Sequence, residues 1–123
     1  MPAHVEVRSA VAGASDVLDC GQEVDSLILI DAALATPQLP VGTCLRLAYP
    51  AQEHVLSRTP ICNTHAVSLA HALRLAWTLG QLPGEVTLFL LAGDSFEPGT
   101  RLSPHLRQPL ARLVEAIQRE VAT

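Results

Sequence analysis

Two aliphatic runs stand out in the pattern of apolar and polar positions, Ser26–Ala32 and Glu85–Ala92. Neither alternates between apolar and polar residues, which is the pattern of strands buried on both faces of a parallel sheet. After the first run, Pro37, Pro40 and Gly42 fix a loop over Ala35–Gly42, and Thr43–Ala48 returns as a strand. Val5–Val11 alternates crudely and reads as a short or edge strand. Gly13–Asp16 then offers a turn, with Ser15 or Asp16 capping a helical turn through Val17 and Leu18 that Gly21 ends. Tyr49–Cys62 holds two prolines and no sustained period, so a long surface loop is expected there.

Asn63 or Thr64 caps a helix over His65–Leu79, with Val67, Leu69, Ala70, Leu73, Ala76 and Trp77 on one stripe and Gly80 as its stop. Gly93–Gly99 leaves the second aliphatic run as a loop. Ser103 and Pro104 open a last helix carrying Leu106, Leu110, Leu113, Val114, Ile117 and Val121 at spacings of three and four. Pro109 is expected to kink its first turns. Strands alternating with helices predict an α/β sandwich with a mostly parallel sheet.

At 123 residues the chain is expected to form a single domain over 1–123. With 49% hydrophobic residues but only two Phe, one Trp and one Tyr, its core must be aliphatic. All eight basic residues are Arg, the net charge is -4, and nothing provides a basic footprint for nucleic acid. Apolar runs such as Val86–Gly93 are strand-sized, short of the about 20 residues a membrane span needs. The N-terminus lacks the basic and apolar regions of a signal peptide, so a cytoplasmic protein is expected. Cys20, Cys44 and Cys62 fall in no paired spacing, which suits reduced thiols.

Ligands of open parallel sheets bind beyond the carboxyl ends of the strands, and Asp31 and Asp94 both fall there. Asp31 follows the buried run Leu27–Ile30, where a carboxylate needs solvent, a donor or a metal; capping a following turn is the plain structural alternative. His65 begins a helix from which its ring can reach the same crevice, and imidazole with carboxylate is a normal ligand pair for nickel or zinc. A backbone hydrogen bond at the helix start is the plain alternative for His65. His71 points away from His65 and is solvated. Cys62 and His65 form a Cys-x-x-His spacing, a weak signal for a metal or a nucleophile–base pair; a buried, small apolar role suits Cys62 better. Ser26, Ser68 and Ser95 lie in no nucleophile elbow, and no phosphate loop occurs.

Val24–Ala32, Leu39–Thr43, Thr64–His65 at a helix start, Glu85–Ala92 and Arg101–Pro104 before the last helix follow one another in an order that resembles the nickel-iron hydrogenase maturation endopeptidases. The likeness covers most of the chain. It implies a three-layer, phosphorylase/hydrolase-like sandwich and a cytoplasmic enzyme that removes a C-terminal peptide from the hydrogenase large-subunit precursor once nickel is inserted. Nickel would be the recognition signal, carried by the substrate, with Asp31 and His65 at two of the three metal-contacting positions. A metal-bound water or a polarised carbonyl would then drive cleavage. The third contact in that family is an acidic residue in a first helix, after a Gly-x-Gly-Asn loop, and this sequence has neither. Val5–Val11 matches the family's second strand, so the domain is expected to be N-terminally truncated by a strand, loop and helix of roughly 30 residues. A start placed at an internal Met, a truncation that pairs with another subunit or with itself, or an inactive relative that binds the precursor without cleaving it would each account for this. An exposed sheet position would favour self-association.

Overall fold

The computed structural model describes residues 4–7, 24–59, 69–93 and 104–122. Strand β1 spans Ser26–Leu34, and β2 spans Cys44–Tyr49. Helices α1 and α2 span Glu53–Arg58 and Leu69–Thr78. Strand β3 spans Glu85–Gly93, and a 3₁₀ turn at Pro104–Leu106 leads into helix α3, Arg107–Val121.

The sheet order is β1-β3-β2, with β1 parallel and β2 antiparallel to the central β3. The mostly parallel sheet of the sequence reading is thus mixed in its described part, one pair of each kind. Central position explains the unbroken apolar run of β3. Val86, Leu88 and Leu90 face one layer with Leu47, Tyr49, Leu56, Ala72 and Leu73, while Phe89 and Leu91 face the other with Leu106, Leu113 and Ile117. Helices α1 and α2 therefore cover one face and α3 the other, the expected three layers. Each large side chain so buried is worth about 2 to 3 kcal/mol in surface removed from water.

The two buried alanines of α2, Ala72 and Ala76, let it lie close to the sheet beside Leu73. Trp77, expected on that buried stripe, is 51% exposed instead. It stands at the rim with its ring edge-on to Tyr49, centroids 6.4 Å apart. Gly80 ends the helix as expected, with φ of 68°. Its N–H donates to Trp77 O at 3.1 Å and that of Gln81 to Ala76 O at 2.9 Å, the paired bonds that satisfy a helix's last carbonyls.

The loop expected over Tyr49–Cys62 contains α1, a correction to the sequence reading. Six residues burying only Leu56 leave too little periodicity to detect. Strand β1 runs two residues past Ala32, to Leu34. Pro109 falls in the first turn of α3, where a missing N–H costs no helical bond. The expected strand at Val5–Val11 is absent over Val5–Val7, and its remainder lies outside the described residues. So do the turn and cap near Ser15 and Asp16, the helix start from Asn63 to Ser68, the loop after Gly93, and Ser103. Among the described residues no helix is long and apolar enough to cross a membrane.

Candidate active site

Asp31 lies within β1, opposite Leu90 in the register and three residues short of the strand's end. Alternation places it on the face of Leu27 and Leu29, the layer covered by α1 and α2. Its carboxylate does not cap a following turn. Asp31 Oδ1 accepts the backbone N–H of Ala32 at 2.8 Å. Burial pushes the carboxyl above the ordinary carboxylate range, and the Ala32 hydrogen bond pulls part of the way back.

The loop after β1 is held on both sides. Thr36 and Leu39 exchange backbone bonds of 3.0 Å, and Thr36 Oγ1 accepts the Leu39 N–H at 3.1 Å. Gly42 N–H then donates to Ala92 O at 2.9 Å, with φ of 88°, a conformation that favours glycine. The expected proline-and-glycine loop thus joins β1 to the far side of β3.

The direction of α2 bears on the predicted metal pair. Trp77, near its carboxyl end, contacts Tyr49, which pairs with Val86 at the start of β3. A helix packed on the sheet with that end at the amino end of β3 points its own amino end toward the carboxyl ends of β1 and β3, where Asp31 stands. His65 itself lies outside the described residues, as do Asp94, Cys20, Cys62, Ser68 and Ser95; the described helix begins four positions after His65, at Leu69. Among the described residues no three His, Cys, Asp or Glu side chains are grouped to hold a metal ion. Cys44 is an exposed thiol whose pKa burial nonetheless raises. A cleft of about 560 Å³ between Arg46, Glu85, Arg119 and Glu120 opens at the opposite, amino end of β3, away from Asp31.

A sequence model of the HycI hydrogenase maturation protease family matches residues 2–120. The chain belongs to the hydrogenase maturation protease family. Solved structures agree in fold. An endopeptidase from Escherichia coli superposes with a TM-score of 0.70 at 22% identity, over 97% of this chain and 74% of that one. The hydrogenase maturating endopeptidase HybD from Escherichia coli gives a TM-score of 0.64 at 22% identity and the same coverages. The hydrogenase 2 maturation peptidase of a Thaumarchaeota archaeon gives 0.61 at 22% identity, over 98% of this chain and 78% of that one. No curated protein matches the chain significantly. The sequence resemblance and the α/β class are both borne out, and hydrogenase maturation endopeptidase is the enzyme class of the family.

One feature of the site escaped the sequence reading, the use of the Asp31 carboxylate on the Ala32 N–H. No local signal announces it, because it depends on which strand ends up beside β1.

Proposed function

We propose that this maturation protease removes the C-terminal peptide of the nickel-iron hydrogenase large-subunit precursor after nickel insertion, and that Asp31 and His65 contact the nickel the substrate carries. The observation that carries this reading is the half-buried Asp31 carboxylate in the carboxyl half of β1, on the face toward whose end α2 directs its amino terminus. Carboxylate oxygen and neutral imidazole are both suitable donors for nickel. Holding the metal between them positions the precursor's nearby peptide bond, so that recognition and alignment for cleavage become one event. In the hydrolysis itself the C–N bond breaks, water's hydroxyl joins the carbonyl carbon and its proton goes to the leaving amine.

Incubating the chain with nickel-loaded precursor and following precursor mass tests the proposal. Shortening is expected, and it should fall about 100-fold or more in Asp31→Asn and His65→Ala. Cleavage by both variants at the rate of the parent chain would remove the two residues from the site. Binding without shortening would make the chain a non-catalytic partner of the precursor.

A further inference from the structure

The Asp31 side chain makes a contact that neither builds the sheet nor caps a turn. Its Oδ1 accepts the N–H of the next residue, Ala32, at 2.8 Å. Among the described residues this is the one hydrogen bond of that side chain, and neither described ion pair, Arg46 with Glu120 or Arg74 with Glu53, involves it.

The donor is held in place by the sheet. Ala35 N–H donates to Gly93 O at 2.9 Å. Along a strand, successive residues aim their backbone groups at opposite edges, so the odd-numbered residues of β1 bond β3 and the Ala32 N–H points away from it. On either side, Asp31 and Ala33 are register partners of Leu90 and Ala92, and Ala33 is fully buried with Leu39 and Ala92. The Ala32 N–H therefore has a direction fixed by its two neighbours, and no ladder bond to β3 uses it. Carboxylates that ligate metals are themselves hydrogen-bonded, and the outer partner sets how the ligand is oriented. A carboxylate tethered through Oδ1 does not grip a cation with both oxygens; it offers Oδ2 alone. The remaining positions of a nickel ion are then left to an imidazole and to the groups that hold the ion in the precursor.

We propose that the Ala32 N–H is the positioning group of the nickel contact: it fixes Asp31 as a one-oxygen ligand with Oδ2 toward the metal. This deepens the assignment of Asp31 made under Proposed function and rests on it. The bond replaces part of the hydration that a half-buried carboxylate loses. The ligand is thereby oriented before the substrate arrives, and no ordering of Asp31 opposes binding. A strand carboxylate that folds onto the nearest amide and swings off when a metal arrives is the plain alternative. The two differ in sign, since removing the donor weakens the metal contact in the first case and leaves it unchanged or stronger in the second.

Affinity of the full chain for the precursor, measured with the precursor nickel-loaded and nickel-free, isolates the metal contact, because the ratio of the two dissociation constants is the gain that nickel provides. Ala32→Pro deletes the N–H and should lower this gain about tenfold, while the affinity for nickel-free precursor stays at the parental value. Lactic acid in place of Ala32 removes the same N–H by turning the amide into an ester. The same tenfold loss is expected, which keeps the test decisive should the proline variant misfold. Asp31→Asn should lose the whole gain, because its oxygen goes to the Ala32 N–H and a non-ligating NH₂ stands where Oδ2 was. A parental or larger gain in the ester variant overturns the proposal, and leaves Asp31 as a ligand when Asp31→Asn has lost its gain. A parental gain in Asp31→Asn, or no gain from nickel in the parent chain, overturns the assignment of Asp31 to the metal and this inference with it.

Discussion

A Cβ added at Gly42 would stand 3.1 Å from Pro109 Cγ, so the turn leading into β2 and the first turn of α3 meet with no room for a side chain. Gly42→Ala combines that contact with a φ of 88°. The expected loss is about 1 to 3 kcal/mol, seen as a lower melting temperature. An unchanged melting temperature would show that the turn relaxes freely.

Phe89 and Ile30 are register partners of opposite burial. Phe89 is 2% exposed and packs under α3, so Phe89→Ala should cost about 3 to 5 kcal/mol. Ile30→Ala should stay within about 0.5 kcal/mol in the isolated chain. Urea unfolding of the two variants checks the contrast, and equal losses would contradict the layering.

Asp31 has a sign that can be worked out. Its folded-state carboxyl sits above the ordinary value of 3.8, chiefly through burial. The protonated group's contribution to stability is therefore fully present below that value and lost as pH rises through the folded pKa. Asp31→Asn keeps an oxygen for the Ala32 N–H and removes the buried charge, so it should melt higher than the parent at pH 7. The advantage should shrink as pH falls toward 4. Thermal melts at the two pH values check both statements, and a variant less stable at pH 7 would mean that the charge has a favourable partner.

Arg46 and Glu120 join β2 to α3 through side chains that keep solvent contact, 54% and 27% exposed. Their coupling in a double-mutant cycle should be about 0.2 to 1 kcal/mol and should shrink in high salt. A coupling several times larger would mark the pair as a structural anchor.

The strands and long helices were legible because their signals are repeated. Leu27–Ile30 and Val86–Leu91 are unbroken aliphatic runs, and Leu106, Leu113 and Ile117 keep a helical spacing over three turns. α1 gives one buried residue in six, and nothing in Cys44–Tyr49 says whether that strand runs up or down beside β3. Direction is fixed by tertiary connection, which local pattern does not encode. Trp77 was placed inside by its type and spacing, but a large ring at the end of an alanine-lined helix meets the rim of the sheet, not its middle. At the candidate site the sequence placed Asp31 with the right strand but at the crevice beyond its carboxyl end, whereas it lies inside the strand, opposite Leu90. It did not foresee that the strand continues to Leu34 and that the carboxylate bends to its neighbour's amide.

Because β3 lies between β1 and β2, the two earlier strands never pair with each other. Among the described residues β3 is the one ladder partner of both, so during synthesis these two pairings wait until Glu85–Gly93 has left the ribosome. The described three strands are then joined in one late step, and nascent chains that still lack β3 should present the β1 and β2 edges that face it to any chaperone at the tunnel exit.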